Sequence, residues 1–431
     1  MSSCWSFAIL LAAATAGGRS VAEEFEQAPI HYSKTPARDA LSRRVDAAGR
    51  LRFPTGREAS DTVRAMLKEL EIPQASQVLV FSKTSLQRAH ISPANPRALY
   101  FNDEVYLGWV PGGAMEVAAM DPDLGPVFHL VEFDGTAGIK ARRDNECLSC
   151  HGGSRTGEIP GLMIRSVPTD PAGEPAPDQP TFVTTPSSPI EERWGGWYVT
   201  GAPDNAPHLG NQWITPDHPR ALARAEAVDS LDRFFRTAPY PAATSDVLAL
   251  MVLEHQVEVH NRLTAAMIAV RRGEYRRESM RRELGIDIAA DPAGSYQSVL
   301  EAQTRLATDA IFFRGEAALP DGGIEGAPAF KIAFKANAKR DAAGRSLKDF
   351  HLLDRLFKYR CSYLVYTPGF TRMPEPLRGR VLASMLRTLT GRDPENRQAH
   401  LGPAERRAIL EILASTLPEL PGEWREAAGR K

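Results

Sequence analysis

Cysteine is scarce in this sequence, and neither sign of charge prevails. The chain has 4 cysteines in 431 residues, too few for a fold that disulfides hold together. Its 52 basic and 53 acidic residues leave a formal net charge of -1, so no overall field attracts nucleic acid or an anionic membrane. Phosphate-binding loops, serine triads and nucleic-acid motifs are also missing. We therefore expect no nucleic-acid partner.

Long apolar runs are missing as well. Beyond the N-terminus no segment reaches the about 18 apolar residues that a membrane span requires. The apolar segment 7–16 is shorter and ends at Gly17, which is typical of a signal peptide. Small residues at 20–22 mark the preferred cleavage site and those at 14–16 an alternative, so we predict a signal peptide over residues 1–22 and export, for example to the periplasm. An uncleaved segment is the other interpretation, because no Lys or Arg precedes the apolar run.

Strand and helix signals divide the chain into two halves. Apolar and alternating runs predict strands between residues 78 and 133, with a hairpin turn at Asn102-Asp103. Beyond residue 217 apolar residues recur at helical spacing, and Ser245 is the expected N-cap of the first helix. The predicted helices are 246–272, 295–313, 347–359, 375–389 and 403–416. The fold class is α+β, with a strand-rich region over 23–216 and a helical region over 217–431.

Two of the cysteines belong to one motif. Cys147 and Cys150 are three positions apart and His151 follows directly, which gives the C-x-x-C-H signature of c-type haem attachment. Two thiols at this spacing can reach two vinyl groups of the macrocycle, and the adjacent imidazole can bind the iron as proximal ligand. The motif predicts one covalent haem c in the strand-rich region, with a pocket that the helical region completes.

Two other interpretations of the cysteine pair stay open. A structural zinc site would need two further Cys or His ligands, and the sequence has no second C-x-x-C and no H-x-x-x-H. A redox-active dithiol or a short-range disulfide would need no adjacent histidine, and it would stand where a strand passes into a helix. Haem attachment explains all three residues of the motif.

The motif and the N-terminal segment make the chain resemble c-type cytochromes. Segments 80–85, 99–103, 108–113 and 193–201 resemble a family of large bacterial proteins that contain a cytochrome c domain. This resemblance implies a single haem that is attached outside the cytoplasm, and it implies no particular activity. The fold of small helical cytochromes is not carried over, because strand-like rather than helical residues precede the motif.

The group opposite the proximal histidine would decide the function. A second protein ligand favours electron transfer, whereas an open position permits ligand binding and chemistry. The predicted helix 246–272 is apolar on nearly all faces, so His255 points into a core and is a candidate distal ligand whose replacement by Ala would change the spin state. Glu254 is a candidate proton-transfer group, and Met373 is the alternative ligand. A hydrogen-bonded structural role is the simpler interpretation of His255.

Other side chains are assigned supporting roles. Met163 is close to His151 in sequence, so packing is its expected role, and His208 is expected in a solvated loop. A carbonyl near Gly161 is the expected acceptor for the second ring nitrogen of His151. Candidate partners for the haem propionates are Arg142, Arg143, Arg155 and Arg165. Candidate haem walls, or else sheet core, are Trp109, Trp194, Trp197, Tyr198 and Trp213.

Two functions are compatible with these predictions. The first is an exported monohaem c-type cytochrome that exchanges single electrons with a redox partner protein or a small oxidant or reductant. The second is a haem enzyme with an open distal site, in which His255 or Glu254 moves protons for peroxide or another small oxidant. Length favours the enzyme, because an electron carrier needs only about a hundred residues around one haem.

Overall fold

The structure is a computed structural model that describes residues 24–51, 59–133, 139–224, 226–285 and 295–429. The predicted signal peptide over 1–22 lies outside these residues and stays a prediction. Among the described helices, none combines the length and the hydropathy that a bilayer crossing requires.

An antiparallel sheet of eight strands fills most of the first half. The strands of the described residues are β1 (Arg50–Leu51), β2 (Val78–Val80), β3 (Arg97–Phe101), β4 (Val105–Trp109), β5 (Met115–Asp121), β6 (Gly125–Phe133), β7 (Ile139–Arg143), β8 (Arg165–Ser166), β9 (Phe182–Val183) and β10 (Trp197–Tyr198). Their order in the sheet is β1-β7-β6-β5-β4-β3-β2-β10, and β8 pairs with β9 in a separate ribbon. From β2 to β7 the strands form a meander, so each strand contacts the next one along the chain.

Helices dominate the second half, although the first two helices of the structure, α1 and α2, lie in the first half. In the described residues they are α1 (Ala59–Glu69), α2 (Leu148–His151), α3 (Val247–Leu284), α4 (Ser295–Ile311), α5 (Pro328–Phe334), α6 (Pro368–Thr371), α7 (Glu375–Leu389), α8 (Pro403–Thr416) and α9 (Gly422–Gly429). The bounds of α7 and α8 are those predicted, whereas α3 continues past the predicted end at residue 272. The sheet followed by the helices confirms the α+β fold class.

The two faces of the sheet pack against different parts of the chain. Side chains alternate between the faces along each strand. Val117 of β5 belongs to a core that α1 and side chains between residues 228 and 240 complete. Phe128 of β6 belongs to a second core that contains α3 and runs from Phe25 to Ala427 in the chain. The strand-rich and helical halves therefore share one hydrophobic interior.

The register of three central strands brings the later site together. Leu99 of β3 pairs with Gly108 of β4, and Gly108 pairs with Glu116 of β5. Arg97 lies two residues before Leu99 and therefore on the same face. The β3-β4 hairpin confirms the turn predicted at Asn102, whose side-chain oxygen accepts two N–H groups of the turn.

Residues 347–359 are not helical, so that predicted helix is wrong. Phe350 and Phe357 form an isolated antiparallel bridge, and their rings stack with centroids 5.4 Å apart. Leu352 has a φ of 64°, which is left-handed and interrupts a right-handed helix. The apolar residues of this segment close a turn instead.

The N-cap of α3 is Asp246 rather than the predicted Ser245. A carboxylate oxygen of Asp246 accepts the N–H of Ala249 at 3.1 Å, which is the usual capping bond. The Ser245 hydroxyl instead accepts the N–H of Leu79 on β2 at 2.9 Å. Ser245 thus fastens the start of α3 to the sheet.

Candidate functional site

The C-x-x-C-H motif occupies a strand-to-helix junction. After β7, Asp144 caps a 3-10 turn by accepting the N–H of Glu146 at 3.1 Å. α2 follows with only four residues, and Gly152 is its C-cap. A redox-active dithiol is also expected at such a junction. The chemical surroundings of the thiols therefore have to distinguish a redox-active dithiol from haem attachment.

The His151 ring is fixed by one backbone carbonyl. Its Nδ1 lies 2.9 Å from the carbonyl oxygen of Gly161, and the N–H of Gly161 donates to the carbonyl of His151 at 2.8 Å. The expected acceptor near Gly161 is therefore confirmed. Because Nδ1 donates the proton in this bond, Nε2 carries the lone pair and is the nitrogen that can bind a metal.

Asn261 of α3 holds the loop that carries this carbonyl. Its side-chain oxygen accepts the N–H of Leu162 at 2.8 Å, and its side-chain nitrogen donates to the carbonyl of Leu162, also at 2.8 Å. The sequence predictions did not include Asn261. An amide in a helix that is otherwise largely apolar was the available signal.

Burial is the largest cause that lowers the pKa of the His151 imidazole, and the hydrogen bond to the Gly161 carbonyl opposes this shift. Burial therefore favours the neutral ring. Through space, Arg97 lowers this pKa further and Glu116 raises it. The Phe128 ring packs against the imidazole with centroids 5.0 Å apart. A neutral imidazole is the form that binds metals.

His151 lies in the wall of a cavity that both motif cysteines also line. The cavity is open to solvent at its mouth. Apolar walls come from the sheet, the loop after α2, and α3, and they include Leu99, Phe128, Ile164, Trp197, Leu253 and Val257.

The environment of the two thiols differs from that of a redox-active pair. Both cysteines are free, with Cys150 exposed and Cys147 partly buried. Burial raises the pKa of the Cys147 thiol to about 12, and the charges of Asp144 and Glu116 add to the increase. Reactive dithiols depend on a lowered thiol pKa, and the raised pKa of Cys147 does not fit the reactive thiol of such a pair. The zinc interpretation also lacks support, because the described residues contain no group of three or more His, Cys, Asp or Glu suited to a metal ion.

Three arginines and one glutamate add charge to the cavity. Arg155 and Arg165, both candidate propionate partners, line it together with Arg97 and Glu116. Arg97 and Glu116 form an ion pair with each other. Sequence reasoning missed this pair, because the two residues stand on strands far from the motif along the chain.

The other two candidate arginines do not line the cavity. Arg142 pairs with Asp144 at 3.4 Å. Arg143 donates to the carbonyl of Tyr32 at 2.7 Å, and its guanidinium lies 4.4 Å from the centroid of the Tyr32 ring. Both arginines therefore have partners outside the cavity.

His255 lies away from the cavity. Its Nε2 is 2.9 Å from the Ser362 hydroxyl, and its ring stacks on Phe313 with centroids 3.9 Å apart. Leu253 and Val257 are the α3 residues that line the cavity, and they lie four positions apart on one helix face. The position of His255 on another face of α3 does not support its candidate role as distal ligand, and its hydrogen bond to Ser362 fits the simpler structural interpretation.

Glu254 is engaged in the protein interior. It accepts hydrogen bonds from Arg193 at 2.5 Å and from the Trp194 indole at 2.8 Å. Both partners of the Glu254–Arg193 ion pair have side chains that are 1% exposed. The structure therefore does not bring Glu254 to a position where it could exchange protons with a ligand in the cavity.

The positions of Met373 and Met163 are the reverse of those expected. Met373, the alternative distal ligand, is buried in the core of the helical half and does not line the cavity. Met163, expected only to pack, lines the cavity with His151. The chain turns back after Gly161, and this turn could not be predicted from the sequence distance alone.

The remaining candidates are distributed over both faces of the sheet. Of the five aromatic residues, Trp197 lines the cavity, and its indole N–H donates to the carbonyl of Arg165 at 2.7 Å. Trp109 and Tyr198 belong to the core on the opposite face, and Trp213 packs against that core. His208 is buried rather than solvated.

Comparison of the chain with protein-family models, with curated proteins and with solved structures gives no match.

Proposed function

We propose that the protein is an exported monohaem c-type cytochrome that carries one covalent haem and transfers single electrons. The observation that carries the proposal is the His151 ring: Nδ1 is bound to Gly161, and Nε2 is left for a metal beside a cavity that Cys147 and Cys150 also line. Cys147 and Cys150 would hold the haem through thioether bonds, and His151 would bind its iron.

The shape and charge of the cavity fit this group. Its walls are mostly apolar, as a macrocycle requires. The charges also balance: Glu116 neutralises Arg97, which leaves Arg155 and Arg165 for the two propionates. Cofactor binding would thus leave no unpaired charge among these residues.

The protein contributes orientation and exclusion of water. The Gly161 carbonyl fixes the tautomer of His151 and strengthens it as a ligand. Leu253 and Val257 of α3 close the cavity against the helical half. When bound, a haem supplies an iron that exchanges single electrons. Cys150 is exposed at one edge, and this edge is where a redox partner would approach.

A second candidate function is a haem enzyme that acts on peroxide or another small oxidant. Two observations favour it: neither His255 nor Met373 lines the cavity, and the polar pair Arg97–Glu116 does. An iron without a second protein ligand would be open to small molecules. For the electron carrier, Met163 is the cavity side chain that would serve as the second protein ligand of the iron.

Mass spectrometry tests haem attachment. The protein is produced in cells that attach haem c, and we expect the mature chain to carry the mass of one haem. The double variant Cys147→Ala/Cys150→Ala should lose it, whereas Cys361→Ala, which changes the buried thiol outside the motif, should keep it. A wild-type chain without haem would refute the proposal.

Absorption spectra of the holoprotein distinguish the two functions. A low-spin ferric spectrum that changes in Met163→Leu, together with a ferrous form that ignores carbon monoxide, indicates the electron carrier. A high-spin spectrum and carbon monoxide binding indicate the enzyme. Met373→Leu and His255→Ala are the matched controls, and we expect both to leave the spectrum unchanged because neither residue lines the cavity.

A further inference from the structure

Tyr106 is a polar side chain in the mostly apolar wall of the cavity. It stands on β4, and Ala118 of β5 and Phe128 of β6 continue the same cross-strand row. All three residues line the cavity, and Phe128 is the ring that packs against His151. Because neighbouring strands are about 4.8 Å apart, the backbones of β4 and β6 are about 10 Å apart at this row. Tyr106 thus borders the cavity two strands away from the ring that contacts His151.

Hydrogen bonds fix the direction in which the Tyr106 hydroxyl donates. Gln256 of α3 accepts the Tyr363 hydroxyl at its side-chain oxygen, at 2.6 Å. Its side-chain nitrogen donates to the Asn102 carbonyl at 2.9 Å and to the Tyr106 hydroxyl at 3.1 Å, which uses both hydrogens of the amide. The Tyr106 hydroxyl therefore directs its own hydrogen to Nδ1 of His260, which is 2.8 Å away.

His260 is able to accept this proton. Burial lowers the pKa of its ring to about 3, so the ring is neutral at pH 7 and Nδ1 carries a lone pair. Burial also raises the pKa of Tyr106, so its hydroxyl keeps the proton until the ring loses an electron. A phenol that has lost an electron is a far stronger acid than an imidazolium. Loss of an electron from Tyr106 would therefore move the proton along one existing hydrogen bond.

Other buried tyrosines have partners that cannot take a proton in this way. Their hydroxyls donate to amide or carbonyl oxygens, which are weak bases, and they belong to the core on the opposite face of the sheet. Examples are Tyr100, Tyr198 and Tyr240, which donate to Gln77 Oε1 and to the carbonyls of Pro93 and Pro96. A basic partner and a place in the cavity wall occur together at Tyr106.

We propose that Tyr106 is a second redox site, which gives one electron to the haem after peroxide has oxidised it and gives its proton to Nδ1 of His260. This inference rests on the haem attachment proposed above and deepens the peroxide-dependent function. The O–H bond of Tyr106 breaks and an N–H bond forms on His260, which leaves a neutral tyrosyl radical and an imidazolium.

The electrons of this step balance with hydrogen peroxide as the oxidant. Peroxide takes up two electrons, and two protons from solvent, as its O–O bond breaks and two molecules of water form. The haem supplies one electron and Tyr106 supplies the other. A redox partner or a small reductant returns both electrons, and Tyr106 then recovers its proton from His260.

Electron paramagnetic resonance of the holoprotein tests the site, after mass spectrometry has shown one haem per chain. The ferric protein is mixed with hydrogen peroxide and frozen rapidly, and a tyrosyl radical is recognised because ring-deuterated tyrosine narrows its signal. We expect this signal in the wild type and its loss in Tyr106→Phe, which removes only the hydroxyl. Tyr100→Phe changes a buried tyrosine of the neighbouring strand on the opposite face, and it should keep the signal.

His260→Gln tests the proton transfer separately. The amide oxygen of Gln can accept the hydrogen bond of Tyr106 but is too weak a base to take its proton. We therefore expect the radical signal to be lost while the haem content and the ferric absorption spectrum stay unchanged. A purely structural role of His260 would leave the radical signal in place.

The outcomes separate this inference from the proposed function. A tyrosyl signal that persists in Tyr106→Phe or in His260→Gln would overturn the inference. An attached haem that does not react with peroxide, or that reacts without a tyrosyl radical in the wild type, would overturn it as well. A chain without haem would instead refute the proposed function itself.

Discussion

His260 is a buried histidine whose hydrogen bonds fix its tautomer. Gln256 donates to the Tyr106 hydroxyl at 3.1 Å, and this hydroxyl lies 2.8 Å from Nδ1 of His260. Because Tyr106 accepts from Gln256, it donates to His260, and the imidazole proton is on Nε2. That nitrogen is buried without a partner. His260 therefore makes its hydrogen bond as a neutral ring.

The pH dependence of stability should report this burial. Burial lowers the pKa of His260 to about 3 from an ordinary value of 6.5. As pH falls, the unfolded chain binds the His260 proton at a higher pH than the folded chain does. The contribution of neutral His260 to the free energy of unfolding is therefore complete above pH 6.5 and is lost as pH falls towards 3. Between pH 7 and pH 5 the loss is about 2 kcal/mol.

The measurement is urea unfolding at pH 7 and pH 5 for the wild type and for His260→Gln, which cannot gain this charge. We expect the variant to lose about 2 kcal/mol less of its free energy of unfolding between the two pH values. His218→Gln, which changes an exposed histidine, is the control. Equal losses in the wild type and the His260 variant would contradict the prediction.

The Arg193–Glu254 ion pair gives a second prediction at this scale. Arg193→Met should lower the free energy of unfolding by about 3–5 kcal/mol, because it leaves a buried carboxylate without its cation. Arg193→Met/Glu254→Gln should recover a large part of this loss. Chemical denaturation of the two variants checks the prediction, and a double variant as unstable as the single one would disprove it.

At the scale of elements, α3 connects the fold to the site. Leu253 and Val257 line the cavity, while Asn261 binds the loop that carries the Gly161 carbonyl. These residues recur every four positions along one helix face. One helix thus sets both the back wall of the cavity and, through Leu162, the orientation of His151.

Removing the Asn261 amide should weaken this connection. Asn261→Leu loses two hydrogen bonds to the Leu162 backbone, and we expect a loss of about 1–3 kcal/mol in the free energy of unfolding. Arg262→Ala is the neighbouring control, because its partly exposed ion pair with Glu258 contributes about 0.5 kcal/mol or less. Urea unfolding of both variants is the measurement, and equal losses would contradict the role of Asn261.

What the sequence could predict depends on the range of the signal. Glu375–Leu389 and Pro403–Thr416 have regular apolar spacing, so both helices were predicted with the observed bounds. The motif at 147–151 is also local, and its side chains do line one cavity. The segment 347–359 had helical spacing too, but contacts between its own aromatic rings close a turn.

The parts of the site that depend on contacts between distant segments of the chain have no signal in the local sequence pattern. α3 is buried on nearly all faces near its start, so apolar spacing could not show that Leu253 rather than His255 faces the cavity. Arg97 and Glu116 meet only through the register of three strands. A pattern in one sequence does not give this register, which depends on how the sheet packs.

At the scale of the whole molecule, one hydrophobic core joins the two halves. It contains residues from Phe25 to Ala427, so neither half buries its apolar surface alone. The boundary predicted near residue 217 falls before side chains that pack on the other face of the sheet, such as Val228 and Tyr240. The helical elements start later, with α3 at Val247.

The shared core should make the chain unfold cooperatively. We expect one transition in urea, with the same midpoint by far-ultraviolet circular dichroism, which follows the helices, and by tryptophan fluorescence, which follows mainly the sheet region. Five of the six tryptophans in the 431-residue chain precede α3, and one of these five lies in the predicted signal peptide. Tryptophan fluorescence and circular dichroism therefore report on different halves. Separate midpoints would indicate two independent folding units.

The burial of α3 changes along its length, and this has a consequence for backbone dynamics. The helix has 38 residues and is about 57 Å long. Side chains up to Val270 are mostly buried, whereas those from Arg271 onward are mostly partly or fully exposed. Amide hydrogens near Leu253 should therefore exchange with deuterium only through global unfolding, and those near Arg281 through local fraying. Within a single helix, the slow-exchanging amides would mark the length that the cavity and the core require.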